Sequence, residues 1–155
     1  MPSPSQRPPG GRSTSRSEGE SRGAGDLSYL PEATLTLQQG SRYQWAQNTT
    51  DPRALSDPGQ STRNAGTYYD PNQIQTQLSF PAAYTGELHL YAVDWDSQGR
   101  REVISVNGQS AVLSSDFTNG AWVSFPISVQ AGGTVSITVT RTAGSNAVLS
   151  GIFLG

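Results

Sequence analysis

The sequence predicts an all-β fold, an antiparallel β-sandwich of the jelly-roll kind behind a disordered N-terminal segment. Three features predict it: short runs alternating apolar with polar residues, turn residues between them at close intervals, and no stretch of helical periodicity. Thr134-Val135-Ser136-Ile137-Thr138-Val139-Thr140 is the clearest run. Val, Ile and Val share one face there, and every outward position carries a hydroxyl.

From the N-terminus, residues 1–27 are rich in Ser, Pro, Gly and Arg, with Met1 as the one large hydrophobic residue before Leu27. Ordering such a stretch costs about 1–2 kcal/mol per residue with no apolar burial to offset it, so it reads as a disordered segment or linker. The sandwich domain is expected over 28–155. Ala33-Thr34-Leu35-Thr36-Leu37 and Ile74-Gln75-Thr76-Gln77-Leu78-Ser79-Phe80 keep a period of two and read as half-exposed strands. Further strands are expected near 43–47, 65–69, 87–96, 101–107, 110–114, 121–127 and 146–154. Turns are expected at Asp57-Pro58-Gly59, Asn107-Gly108, Asn119-Gly120 and Ala131-Gly132-Gly133. The last strand, from Asn146 to Leu154, is apolar on both faces and reads as a sheet centre, with small Ser150 and Gly151 marking a bulge or close neighbour. Val148, Ile152 and Leu154 are expected on one of its faces, and Ala147, Leu149 and Phe153 on the other.

Charge and composition exclude several classes of function. All ten basic residues are Arg; residues 27–155 hold six of them against nine acids, which does not supply the cation array that phosphate backbones demand. The longest apolar runs, such as AVLSGIFL, fall far short of the roughly 20 residues of a membrane helix. Without Cys there is no thiol catalysis, disulfide or thiolate metal site. Neither nucleic acid nor membrane is an expected partner.

The chemistry-bearing residues gather around Asp94-Trp95-Asp96. Both carboxylates fall at the rim of the core, where unpaired charge is costly, so they call for cations. Arg100 follows across a short turn, and Arg53 and Arg63 lie in loops able to reach the same end. A structural Asp/Arg network at that corner is the expected result. Asp94 to Gly99 also partly matches a calcium loop, but Gln98 stands at position five and Ser105 where a bidentate Glu belongs; no cofactor is expected. No G-x-S-x-G elbow occurs, and an Arg-paired Asp94 and Asp96 leave no general acid, so the chain is read as not an enzyme. His89, the single imidazole, reads as a strand residue. Among the aromatics, Trp45 and Trp122 are assigned to the core. Tyr68, Tyr69 and Asn72 are expected exposed, and with Arg63 and Trp95 they form the expected ligand contacts.

Tyr43-Gln44-Trp45-Ala46, Thr50-Asp51-Pro52-Arg53-Ala54-Leu55, Asp94-Trp95-Asp96-Ser97-Gln98-Gly99-Arg100 and Asn146 to Phe153 occur in that order. Together they resemble a bacterial β-sandwich module of the galactose-binding-like and carbohydrate-binding-module group over residues 33–155. The resemblance implies a non-catalytic accessory module of an extracellular or cell-surface multidomain protein, with a polysaccharide or glycan and neighbouring domains as partners. It places Asp51, Arg53, Asp94, Asp96, Arg100 and Asn146 at motif positions that serve as a structural network. The rival expectation is a structural, adhesive or self-assembling sandwich whose N-terminal arm contacts a neighbour. The chain carries no apolar leader, which leaves a cytoplasmic location open.

Overall fold

A computed structural model describes residues 32–56 and 63–155 and, for the backbone alone, 20–22 and 28–29; the side chain of residue 56 is likewise not described. The expected turn at 57–59 lies outside these residues. So does most of the segment read as disordered, of which Glu20–Arg22 runs as a strand.

Among the described residues all regular structure is strand: β1 (Glu20–Arg22), β2 (Ser28–Tyr29), β3 (Thr34–Gln39), β4 (Ser41–Thr49), β5 (Leu55–Ser56), β6 (Arg63–Asp70), β7 (Gln73–Ser79), β8 (Tyr84–Ala92), β9 (Arg101–Val106), β10 (Gln109–Leu113), β11 (Ala121–Val129), β12 (Thr134–Ala143), β13 (Ala147–Leu149) and β14 (Gly151–Leu154). No helix among the described residues is long and apolar enough to cross a membrane. One sheet runs β11-β8-β14-β1-β2 and a second β10-β9-β12-β7-β3. A third, β13-β6-β4 with β5 beside β6, sits at one end. All pairings are antiparallel.

The period of two explains the packing. Ile74 and Leu78 on β7, Ile104 and Val106 on β9, and Val135, Ile137 and Val139 on β12 point inward. They meet Leu88 and Leu90 on β8, Phe125, Ile127 and Val129 on β11, and Ile152 and Leu154 on β14. Each fully buried aliphatic side chain contributes roughly 1.5–3 kcal/mol. The outer face of the second sheet carries Thr34, Thr36, Gln75, Gln77, Thr138 and Ser105, and some of its side chains bond along it, as in Ser105 to Ser110 at 2.9 Å and Gln75 to Gln73 at 2.6 Å. A smaller cluster of Tyr91, Val93, Phe153 and Leu55, with Trp45, Trp95 and Trp122 against it, covers the other side of β8 and β14.

The C-terminal run departs from expectation. It is two strands in two sheets: β13 pairs with β6, and β14 with β8 and β1. The change falls at Ser150, whose N–H donates to the Tyr91 carbonyl at 2.8 Å, and Gly151 follows where a Cβ would stand 2.8 Å from the Phe153 ring. Crossing between sheets there shifts the alternation by one, so Ala147 and Leu149 share the main core with Ile152 and Leu154, while Val148 packs with Phe117 and Ala121. β8 also ends at Ala92, earlier than expected, and releases Asp94 to Asp96 into a turn.

Glu102 shares the inward face of β9 with Ile104 and Val106 and is fully buried. Its Oε1 accepts the Val148 N–H at 2.9 Å, and its Oε2 has no partner among the described residues. Burial pushes the carboxyl up to about 8, against the smaller opposing pull of the Val148 N–H and Arg100. Between 4.5 and 8 the folded state therefore holds a proton that the unfolded state has released. Stability is full below that window and falls as pH rises through it, by about 1.4 kcal/mol per pH unit. Glu102→Gln keeps the acceptor and removes the titration. Calorimetry from pH 5 to 9 is expected to show the variant's Tm advantage growing with pH, and parallel Tm curves would contradict the buried acid.

Candidate functional site

The site begins with Asp94, just past β8. Its Oδ1 accepts the Gln98 N–H at 3.0 Å, its Oδ2 the Arg100 N–H at 3.2 Å, and its backbone carbonyl the Ser97 N–H at 3.2 Å. One carboxylate thus closes the whole 94–100 loop, which passes through positive φ at Ser97 (54°) and Gly99 (67°). The loop returns Arg100 over Asp94, and Arg100 Nη1 donates to Asp94 Oδ1 at 2.7 Å and also to Asp96 Oδ1. Arg100 Nε donates to Asn146 Oδ1 at 2.7 Å. Asp94 and Arg100 are 1% and 4% exposed, and the Asp96 side chain keeps 45% of its surface. Gly144, at φ +82°, is required beside them, since a Cβ there would lie 2.6 Å from the Arg100 Cα.

A second pair braces the loop from outside. Asp51 receives the Arg53 side chain at 2.9–3.2 Å through Nε and Nη2, a bidentate fit. Arg53 Nη1 donates to the Trp95 and Thr118 carbonyls at 3.2 and 3.0 Å. The Arg53 side-chain hydrogen bonds hold the Asp51 carboxyl below its ordinary 3.8, so this contribution is present above that value and is lost as pH falls below it. The Arg53 guanidinium lies 4.2 Å from the Trp95 ring centre, Trp95 stacks on Trp45 (6.1 Å, 11°), and Arg100 lies 5.7 Å from the Trp45 ring. Two cations bracket two indoles.

Beside Trp45 opens a pocket of about 270 Å³ lined by Tyr43 and Trp45 from β4, Thr67 and Tyr69 from β6, Asp96 and Arg100 from the loop, and Asn146 and Val148 around the start of β13. Tyr43 meets Trp45 and Tyr69 edge-on at 6.5 and 6.3 Å, so three rings form one corner. Facing them are a carboxylate, a guanidinium and an amide.

Of the expected ligand contacts, the structure puts Tyr69 in this pocket, with Trp95 one ring behind. Tyr68 is corrected: neighbouring strand residues face opposite sides, so with Tyr69 on the pocket Tyr68 turns into the main core, 3% exposed. Arg63 donates to the Ala54 carbonyl at 3.2 Å and does not line the pocket. Asn72 is exposed at the β6–β7 turn, where its carbonyl accepts the Arg141 N–H, and is also outside the pocket. Asp94, Asp96, Arg100 and Asn146 come together, and Asp51 and Arg53 pair beside them; Asp96, Arg100 and Asn146 line the pocket as well. Trp45, assigned to the core from sequence, is half-buried and forms the pocket wall. The carboxylates of the partial calcium loop are committed to Arg100 and to backbone N–H groups, a donor set that does not fit a divalent cation. Tyr43 and Thr67 were missed; Tyr43 stands two residues before Trp45, a spacing that puts both rings on one face of an extended strand.

No protein-family model matches the sequence, and no curated protein does. Among solved structures, a family 35 carbohydrate binding module from Clostridium thermocellum aligns over 79% of this chain and 98% of its own, at 13% identity and TM-score 0.41. A second family 35 module, from an environmental isolate, aligns over 86% and 90% at 15% identity and TM-score 0.44. Bacteroides uniformis beta-glucuronidase 2 matches 88% of this chain with 17% of its own length, at 18% identity and TM-score 0.55. At such identities the likeness is one of fold: the β-sandwich recurs as a minor part of that glucuronidase chain.

Asp94→Ala removes one acceptor from a buried guanidinium and the closure of the 94–100 loop. A loss of about 3–5 kcal/mol is expected, a fall in Tm on the order of 10 °C, and an unchanged melting curve would show that the corner does not depend on this carboxylate.

Proposed function

We propose that the chain is a non-catalytic carbohydrate-binding domain whose site is the pocket between β4, β6 and the 94–100 loop. One observation carries this reading: an aromatic corner of exposed Tyr43 and half-buried Trp45 and Tyr69 faces the planar polar groups of Asp96, Arg100 and Asn146 across a single cavity. A sugar ring has apolar C–H faces and a rim of hydroxyls, so it needs both surfaces at once. Acid–base hydrolysis would need two carboxyl groups roughly 5–9.5 Å apart flanking the bond. Among the described residues lining the pocket, Asp96 is the one acid, and it is tied to Arg100.

A small site gives modest affinity, because association costs several kcal/mol before any surplus appears. Weak binding becomes useful when the domain is tethered to an enzyme or a second binder. That supports placing it as an accessory module of a larger extracellular protein. The rival reading, a self-assembling structural sandwich, draws on the Thr, Ser and Gln outer face of the second sheet. Sedimentation across a concentration series separates the two.

Tyr43 is 53% exposed, so Tyr43→Ala is expected to leave Tm nearly unchanged while costing about 1 kcal/mol of ring contact, roughly fivefold in affinity. Affinity gels with plant, algal and bacterial polysaccharides provide the measurement. Retardation that the variant loses supports the reading, and no retardation by any of them overturns it.

A further inference from the structure

Resting on that reading, we propose that the pocket holds a single neutral pyranose ring and rejects the corresponding uronic acid. Size gives the first half. At about 270 Å³ the cavity falls just below the roughly 300–1,000 Å³ of sites for drug-sized ligands, which suits one ring and not a chain segment.

Charge gives the second half. Arg100 is the one cation lining the pocket among the described residues, and it meets two carboxylates, Asp94 and Asp96. The group therefore sums to one negative charge, carried into the cavity on the half-exposed Asp96. The neighbouring cations lie outside the pocket: Arg101 donates to the Arg100 carbonyl and lines a separate cavity with Asp94 and Asp116. Arg53 lies beyond Trp95, paired with Asp51. Arg42 stacks on Tyr68, on the face of β6 opposite Tyr69. Arg141 is held by the Pro71 and Gly144 carbonyls. Glu102 lies behind Val148 and is uncharged at neutral pH. A sugar carboxylate entering here meets a like charge on Asp96 and a guanidinium already neutralised.

Hydrogen-bonding capacity agrees. Asp96 offers acceptors, and Arg100 Nη2 and Asn146 Nδ2 are donors with no partner among the described residues. Neighbouring hydroxyls on a sugar both donate and accept, so they match this mixed set. A carboxylate only accepts, so where it lies against Asp96 it supplies no donor and meets a like charge.

The test is a set of NMR titrations of the purified protein with the methyl glycosides of glucose, galactose, mannose and xylose, and of glucuronic and galacturonic acid. At least one neutral glycoside is expected to bind, with its uronic counterpart about tenfold weaker and a neutral trisaccharide within about threefold of the monosaccharide. Asp96→Asn is expected to narrow the neutral-to-uronic gap. A uronic glycoside that binds as well as its neutral partner, or sizeable affinity confined to longer chains, overturns the inference while leaving carbohydrate binding in place. Silence with every glycoside and every polysaccharide overturns both. The wild-type comparison alone decides the charge question if the variant does not fold.

Discussion

The site depends on one carboxylate. Asp94 closes its loop by accepting two backbone N–H groups and then binds the guanidinium that the loop brings back over it. Without that anchor, the 94–100 loop, with its two left-handed residues, has little to fix its path, and Asp96 and Arg100 lose their places together. The anchor is stable because the charge is shared: a buried guanidinium is tolerable only when its donors are satisfied, and Asp94, Asp96 and Asn146 satisfy three of the directions it offers. The polar groups that line the pocket are thus fixed by one that does not line it.

Around this anchor the molecule balances charge by position. Asp51 and Arg53 cancel on the far side of Trp95, and the two guanidinium groups bracket the paired indoles. Each indole is thereby held between a guanidinium and the other ring. Glu102 adds a buried acid below the site, where its Oε1 ties β9 to β13 through the Val148 N–H. Its neutral form fits a location already holding an ion cluster. Its ionised form adds a charge with no cation of its own, since Arg100 is shared between Asp94 and Asp96.

Much of the fold was legible because its core strands repeat a simple period. β7, β9 and β12 each bury alternate residues, and the Asn107-Gly108 turn stands where the sequence places it, both residues at positive φ. The Asp94, Asp96 and Arg100 corner was legible from charge economy, since acids at a core rim require a cation nearby. Other features were not. Tyr68 and Tyr69 are chemically identical neighbours, and only the register of β6 decides which one faces the pocket. The sheet change at Ser150 inverts the faces of the last strand, and no composition signal distinguishes a change of sheet from a simple bulge. Glu102 hides inside an alternation that reads as ordinary, and its acid shows as buried only once β13 is seen to lie over it.

The irregular stretches of backbone gather around the pocket. β4 shifts register on either side of Ala46, next to Trp45; β12 shifts between Arg141 and Ala143, shortly before Asn146; the 94–100 loop carries two positive-φ residues between Asp96 and Arg100. Each irregularity lies within a few residues of a pocket-lining side chain. A regular sandwich sends its side chains either into the core or straight out to solvent, and neither direction makes a cavity. To bring rings from β4 and polar groups from two connections to a common point, the backbone must leave the regular ladder, as bulges do when they re-aim a side chain. Period-two reading therefore finds the scaffold but not the pocket's geometry, because the backbone departures bring its walls together, and charge economy alone points to its polar edge.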